Sequence, residues 1–243
     1  MYLLILGANS DVAQAVARKF AKAEKANLYL ASRDMEILQK RAQDIVVRHE
    51  VQAVPLYFDA TDYASHAGFY AALDPKPDGV VLAFGYLGDQ EQAQQDFQEA
   101  RKIVETNYLG AVSILEIIAA DFERRGHGFI IGLSSVAGER GRRRNYMYGA
   151  AKGALTIYLS GLRNRLAKRG VRVITILPGF IQTKMTANMK IPQFLLGSTT
   201  EVSEDIYNAF KKSQNIIYTK WFWKWIMRII RMIPEPLFKR LDI

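Results

Sequence analysis

Short apolar runs alternate with longer amphipathic segments along almost the whole chain, and this alternation limits the possible folds more than any other feature. The runs are rich in Val, Ile and Leu, which is typical of strands covered on both faces. Strands joined through helices pair in parallel, with right-handed crossovers. The predicted strands lie at residues 2–6, 27–31, 52–57, 79–83, 128–133, 171–177 and 215–218.

Helices are predicted between these strands, near residues 10–25, 34–50, 64–73, 93–125, 145–168 and 202–212. The predicted fold class is therefore α/β: a Rossmann-type doubly wound parallel sheet in three layers, α/β/α. No linker composition or internal repeat divides the 243 residues. We expect a single domain at residues 1–219, followed by a C-terminal amphipathic helix in the tail, residues 220–243.

Several classes of site are excluded by composition. The chain has no cysteine, which removes disulfides and thiolate metal sites. His49, His66 and His127 lack the spacing of metal ligands, so we expect no metal. The apolar N-terminus has no basic segment and runs directly into Gly7, which favours a buried strand over a signal peptide and predicts a cytoplasmic protein.

The net charge of +9 is unevenly distributed, because residues 216–243 hold six Lys or Arg against two Asp or Glu. A basic balance suits nucleic acid, an anionic membrane or a phosphorylated ligand. No nucleic-acid motif accompanies it, and we expect no nucleic-acid partner. The charge of the tail therefore indicates a membrane surface.

The turn after the first predicted strand has the features of a phosphate-binding turn. Gly7 follows the strand directly, and Asn9, Ser10 or Asp11 can cap the next helix. A helix N-terminus offers free N–H groups and positive partial charge to a pyrophosphate. The alternative interpretation is a tight turn without a ligand.

The end of the second predicted strand reads Ser32-Arg33. A carboxylate in this place holds the ribose 2′-hydroxyl of NAD, whereas an arginine accommodates a 2′-phosphate. The sequence therefore predicts NADP(H) as the preferred cofactor, with NAD(H) as the alternative. Asp34 is interpreted as the cap of the following helix.

Tyr148 and Lys152 are four residues apart in a predicted helix and therefore share one face. A phenol has a pKa of about 10, too high for efficient proton exchange near neutral pH. A neighbouring ammonium stabilises the phenolate, so we expect Lys152 to lower the pKa of Tyr148 and fit the pair for acid/base work at a carbonyl or alcohol. On its own, such a pair also occurs on ordinary surface helices.

Two further segments follow predicted strands: Ser135-Val136-Ala137-Gly138 and the segment from Pro178 to Thr183. With the tyrosine and lysine above, their order and spacing resemble the short-chain dehydrogenase/reductase family over essentially the whole chain. The resemblance implies an NAD(P)-dependent oxidoreductase that moves a hydride between the nicotinamide and a substrate carbon.

The resemblance also implies residue roles. Tyr148 would be the acid/base, Lys152 would hold the nicotinamide ribose, and Ser135 would orient the substrate oxygen. Asn107 would hold a water in a proton relay, and Asp59 would contact the adenine. The implied cofactor contacts are Gly7, Asn9, Ser10, Asp11, Val12, Ser32, Arg33, Asp59, Ala60, Ala83, Gly85, Tyr148, Lys152, Pro178, Gly179, Ile181 and Thr183.

The chain departs from the family pattern in two places. Leu6, Asp11 and Ala13 stand where the family has Thr, Gly and Gly around Gly7, and residues 82–85 read Leu-Ala-Phe-Gly instead of Asn-Asn-Ala-Gly. Both changes bear on cofactor affinity, because they alter the phosphate turn and the central strand.

The tail carries three tryptophans beside a basic stripe. On one continuous helix, Lys220, Lys224, Arg228 and Arg231 would align at i, i+4, i+8 and i+11. This pattern favours an interfacial helix lying on a membrane. The alternative is a helix buried in an oligomer interface, since a homo-oligomer is also expected.

The segment between Ser135 and Tyr148 holds four arginines, at 140, 142, 143 and 144, and the residues from Met189 to Leu196 match the family's substrate lid. The arginines either bind a phosphate or lie on a solvated loop. With the tail, they suggest a lipid-linked substrate. At this finer level, residues 134–142 and 146–152 resemble the decaprenylphosphoryl-2-keto-arabinose reductase branch.

Three hypotheses remain open at this point. The first is a reductase of a keto group on a lipid-linked or amphiphilic substrate at the inner membrane face. The second is a soluble reductase of acyl or small carbonyl compounds whose tail is an oligomer contact. The third is a catalytically silent dinucleotide-binding sensor or scaffold.

Overall fold

Seven strands form one parallel sheet in the computed structural model, which describes residues 1–183, 186, 187 and 191–241. The sheet order is β3-β2-β1-β4-β5-β6-β7. The predicted strands are confirmed to within one residue at each end. Their bounds are β1 (Tyr2–Leu6), β2 (Asn27–Ser32), β3 (Ala53–Tyr57), β4 (Gly79–Leu82), β5 (Gly128–Leu133), β6 (Val171–Pro178) and β7 (Ile216–Thr219).

Ten α-helices connect or follow the strands within the described residues. The predicted single helix at residues 93–125 is wrong in detail, because Asp96 is extended and its carboxylate accepts a hydrogen bond from Gln98 N at 2.9 Å. The bounds are α1 (Asp11–Glu24), α2 (Met35–His49), α3 (His66–Ala71), α4 (Gln90–Gln95), α5 (Phe97–Val104), α6 (Gly110–Arg125), α7 (Tyr146–Leu166), α8 (Thr199–Lys211), α9 (Trp223–Met232) and α10 (Glu235–Phe238).

The sheet separates two apolar cores, as the predicted three-layer α/β/α arrangement requires. Helices α1, α2 and α8 cover one face, and α3, α6 and α7 cover the other. The stretch Phe97–Arg125 is long and apolar enough to cross a membrane by length and composition. Its α6 part, however, buries Ile114, Leu115 and Ile118 against the sheet, so it is a core helix.

The strand order reverses between β1 and β4, where the chain runs outward in both directions. Ligands of open α/β sheets bind in the crevice beyond the carboxyl ends of the strands at such a point. The segments after β1, β4, β5 and β6 therefore converge on one edge of the sheet.

The tail packs on this edge with one face of α9. Trp223 and Met227 are buried in a small core with Val136 and Leu177. The predicted four-cation stripe is wrong at its first member, because Lys220 precedes the helix, with φ of 56°, and donates to the carbonyl of Leu196.

The outward face of α9 is apolar. Trp225, Ile229 and Met232 are exposed and, at 100° per residue, lie opposite the buried side chains. The cations at positions 224, 228 and 231 lie between the two faces, and Arg231 pairs with Glu139 at 3.5 Å.

The two tryptophans of α9 offer a matched test of this packing. Trp223 is 4% exposed and Trp225 is 50% exposed. Replacing a buried Trp with Ala removes its apolar contacts and leaves a cavity, so Trp223→Ala should lower the free energy of unfolding by about 3–5 kcal/mol. Trp225→Ala should change it by less than about 0.5 kcal/mol. Urea unfolding measures both, and equal losses would contradict this packing of the helix.

Candidate active site

One cavity of about 500 Å³ lies at the carboxyl edge of the sheet and extends from β2 to β6. Every predicted cofactor-contacting residue lines it, although the sequence places them up to 176 positions apart. These residues are Gly7, Asn9, Ser10, Asp11, Val12, Ser32, Arg33, Asp59, Ala60, Ala83, Gly85, Tyr148, Lys152, Pro178, Gly179, Ile181 and Thr183, and Ser135 joins them.

The turn after β1 can be built only with glycine at its first position. Gly7 has φ of +82°, and a Cβ there would lie 2.5 Å from the backbone nitrogen of Phe84. Ser10 is the cap of α1, since its hydroxyl accepts a hydrogen bond from Ala13 N at 3.1 Å. Asp11 enters the first turn of the helix, with an oxygen 3.9 Å from Arg41.

The end of β2 carries residues predicted to contact the adenosine half of the dinucleotide. Arg33 is exposed on the rim of the cavity. Asp34 is confirmed as the cap of α2, with its carboxylate accepting from Ile37 N at 3.1 Å. The Asn9 amide donates to the Asp34 carbonyl at 2.8 Å, while its buried oxygen has no hydrogen-bond partner among the described residues. A dinucleotide hydroxyl or amine would satisfy that oxygen.

The helix α7 approaches the turn after β5 so closely that backbone touches backbone. A Cβ on Gly138 would lie 2.5 Å from Gly153 N, and a Cβ on Gly149 would lie 2.8 Å from the carbonyl oxygen of Ala137. Distances this short leave room only for glycine. The contact brings the Ser135 hydroxyl beside the Tyr148 phenol.

The ionisation of this pair differs from the prediction. Burial raises the pKa of Tyr148 to about 12, and the hydrogen bond from Ser135 offsets only part of that rise. Burial also lowers the pKa of Lys152 to about 8. The expected lowering of the tyrosine pKa by Lys152 is thus wrong for the protein alone. The ammonium lies 5.8 Å from the centre of the phenol ring and donates to the Leu133 carbonyl at 3.1 Å.

Asn107 does not line the cavity but lies directly behind it. It occupies a π-helical turn, Glu105–Leu109, of the kind that often marks functional positions. Its amide accepts from Tyr86 N at 3.1 Å and donates to the Tyr86 carbonyl at 2.6 Å. A Cβ on Gly85 would lie 3.0 Å from the Asn107 oxygen and 3.4 Å from the Lys152 ammonium, so both side chains border the position of Gly85.

The tail packs against the segment after β6 that lines the cavity. A Cβ on Gly179 would lie 2.0 Å from the indole of Trp223, which also packs edge-on against Phe180. This contact was not predicted, because the sequence pattern assigned all three tryptophans to a membrane face. Phe180, Tyr86, Arg142 and Asn145 also line the cavity and were not predicted as individual site residues.

The arginines between Ser135 and Tyr148 have different surroundings. Arg140 donates to the carbonyl oxygens of Ile230 and Ile233 at the C-terminal end of α9 and lies 3.6 Å from the Phe238 ring centre. Arg142 lines the cavity, whereas those at 143 and 144 are exposed. Of the two alternatives predicted for this segment, phosphate binding stays a prediction for Arg142, which lines the cavity.

The predicted lid is only partly described, since Met189 and Lys190 lie outside the described residues. Ile191, Phe194 and Leu196 are described and do not line the cavity. No cluster of three His, Asp or Glu side chains within the described ranges is placed to hold a metal.

Comparison with known proteins agrees with this geometry. A family model described as short chain dehydrogenase matches residues 2–193. An uncharacterized oxidoreductase of Mycobacterium tuberculosis is 34% identical over 242 residues, covering 98% of this chain and 96% of the relative. Among solved structures, a short-chain dehydrogenase from Sphingobium yanoikuyae in complex with NADPH is similar, with a TM-score of 0.84, 20% identity and coverage of 99% and 96%. One from Burkholderia cenocepacia in complex with NADP has a TM-score of 0.82, 22% identity and the same coverage.

The buried lysine gives a test that needs no substrate. With a pKa of about 8, folded Lys152 loses its proton well below the ordinary 10.5 of an unfolded chain. The folded state then binds fewer protons across that window, so the free energy of unfolding should rise as pH increases from about 8 to 10.5. NMR of labelled lysine side chains should show one midpoint near pH 8, and Lys152→Met should abolish both effects. A midpoint near 10.5 would contradict this burial.

Proposed function

The chain belongs to the short-chain dehydrogenase family, and we propose that it reduces a keto group with NADPH, or oxidises the matching alcohol with NADP⁺. The observation that carries the proposal is the meeting of Tyr148, Ser135 and Lys152 in one cavity with the predicted dinucleotide contacts. The chemistry is general acid catalysis coupled to hydride transfer.

The shape and charge of the cavity fit the phosphorylated dinucleotide. The Gly7 turn leaves its backbone open to a pyrophosphate at the N-terminus of α1. Arg33 supplies a cation at the end of β2, where the 2′-phosphate of NADP would lie. The NADPH and NADP complexes of the two similar structures support the same choice.

Four side chains contribute to proton transfer in the proposed reaction. NADPH, when bound, supplies the hydride that reaches the carbonyl carbon. Tyr148 donates its phenolic proton to the carbonyl oxygen, and its raised pKa keeps that proton in place at neutral pH. Ser135 donates a hydrogen bond to the same oxygen, and the buried ammonium of Lys152 stabilises the phenolate that remains. Asn107 fixes the backbone of Tyr86 beside Lys152, where a water can complete a proton path.

Tyr148→Phe should lower kcat for carbonyl reduction by about 10²–10⁴-fold, because the ring remains while the acid is lost. Its binding of NADPH, followed by fluorescence, should change little. Tyr146→Phe is the matched control on the same helix, since Tyr146 is exposed outside the cavity lining. Unchanged reduction by the Tyr148 variant would refute the acid role.

Arg33→Ala should weaken NADPH binding by about 10–100-fold, because a charge-assisted contact to the 2′-phosphate is removed. NADH binding should be unaffected. Lys40→Ala serves as the control, because Lys40 pairs with Glu36 outside the cavity lining. Parallel fluorescence titrations with both cofactors measure the difference, and an equal loss for NADPH and NADH would argue against this cofactor preference.

We further propose that the enzyme works on the cytoplasmic membrane face with an amphiphilic, lipid-linked substrate. Its outward stripe of Trp225, Ile229 and Met232, flanked by Lys224 and Arg228, has the pattern of an interfacial helix. The opposite face of the same helix packs on the cavity wall, so a membrane at α9 would lie next to the catalytic site. The resemblance to the decaprenylphosphoryl-2-keto-arabinose reductase branch agrees with such a substrate.

Replacing all three of Trp225, Ile229 and Met232 with Ser should abolish sedimentation with phosphatidylglycerol–phosphatidylcholine vesicles, because the membrane-facing apolar surface is lost. This choice keeps Trp223 and Met227 in place, whereas deletion of the tail would also remove their packing. The matched control replaces three apolar side chains elsewhere that are at least as exposed, Val47, Phe97 and Ile157. Loss of a dimer with no vesicle binding by the wild type would instead identify an oligomer contact.

A further inference from the structure

A half-buried cation in the wall of the cavity has no counter-ion among the described residues. The Nε atom of Arg142 is buried and has no hydrogen-bond partner among the described residues. Its Nη2 atom contacts the Met227 thioether at 3.0 Å, a weak acceptor. No described carboxylate lies within 4.0 Å of the guanidinium.

One acidic side chain acts on Arg142 from a distance, and one of its two carboxylate oxygens is engaged elsewhere. Glu139 exerts only a through-space attraction on Arg142. Its carboxylate accepts a hydrogen bond from the Tyr218 hydroxyl at 2.6 Å and lies 3.5 Å from Arg231. Burial therefore dominates and lowers the pKa of Arg142, although a guanidinium remains charged at neutral pH. An unpaired buried charge is costly, and a ligand anion would relieve that cost.

A second polar atom on the same wall also lacks a partner. The side-chain oxygen of Asn145 is buried without a hydrogen bond from the described residues. Asn145 N donates to the Arg142 carbonyl at 3.1 Å, so the two residues belong to one turn that leads directly into α7 and Tyr148. The turn thus presents an unpaired cation and an unpaired acceptor to the cavity that holds the acid.

We propose that Arg142 is a specificity-determining residue that binds an anionic group, a phosphate or a carboxylate, on the carbonyl substrate. The inference rests on the proposed function and names the chemical class of its substrate. Asn145 accepts a hydrogen bond from a hydroxyl of the same substrate. Helix α9 supports this subsite from behind, because the buried Met227 sulfur contacts the guanidinium.

Three aryl ketones of similar length test the proposal: 4-acetylphenyl phosphate, 4-acetylbenzoate and uncharged 4-methoxyacetophenone. Calorimetry measures their binding to the protein saturated with NADP⁺. Wild type should bind at least one anionic ketone more tightly than the uncharged one by about 10-fold or more. Arg142→Gln should remove that preference through a 10–100-fold loss, while Arg142→Lys should keep part of it.

Arg143→Gln is the matched control, since it removes an exposed arginine from the same loop. Unchanged NADPH affinity in Arg142→Gln establishes that the variant is folded. The proposal is overturned if wild type binds the charged and uncharged ketones equally, or if Arg142→Gln and Arg143→Gln behave alike.

Competition experiments distinguish a lipid phosphate from a soluble one. A comparison of binding with turnover distinguishes the anion subsite from the proposed reductase activity. Competition against 4-acetylphenyl phosphate by phosphatidic acid vesicles, but not by phosphatidylcholine vesicles, identifies a lipid phosphate. Competition by inorganic phosphate alone identifies a soluble phosphorylated substrate. Arg142-dependent binding without turnover of any ketone would uphold the subsite and reject the reductase. Turnover that does not depend on Arg142 would uphold the reductase and reject the subsite.

Discussion

The close contact of α7 with the turn after β5 determines the geometry on which the rest of the site depends. Gly138, Gly149 and Gly153 let backbone meet backbone, which no larger residue would permit. The Ser134 hydroxyl donates to the Lys152 carbonyl at 2.8 Å and fixes the helix at its second turn. Ser135 and Tyr148 consequently lie side by side in the cavity, although they come from different elements.

The same contact explains how the tail becomes part of the enzyme. The turn that touches α7 continues into Arg140, which caps the C-terminal end of α9 and thereby satisfies carbonyls that have no helical partner. Trp223 closes over Gly179 from the other end of the same helix. A helix with an outward apolar face thus contacts both loops that border the proposed catalytic residues.

The architecture could be predicted from the sequence, because the spacing of apolar residues in strands and helices reflects which positions are buried. The family resemblance named many of the residues that line the cavity, but it missed Tyr86, Arg142, Asn145 and Phe180. The sequence was insufficient where the role of a side chain depends on how deeply it is buried. The spacing of Tyr148 and Lys152 implied an ammonium acting on the phenol, but burial dominates both pKa values. Likewise, Trp223 and Trp225 are indistinguishable by pattern, yet only one is buried.

Hydride transfer from NADPH to a ketone bound in this cavity can be followed with an isotope label. The protein would be incubated with NADPH carrying deuterium at C4 of the nicotinamide and with the aryl ketone it binds most tightly. Mass spectrometry of the product should find deuterium on the carbinol carbon. A protein that binds the labelled NADPH and the ketone together, yet releases unlabelled ketone and no deuterated alcohol, would contradict the account.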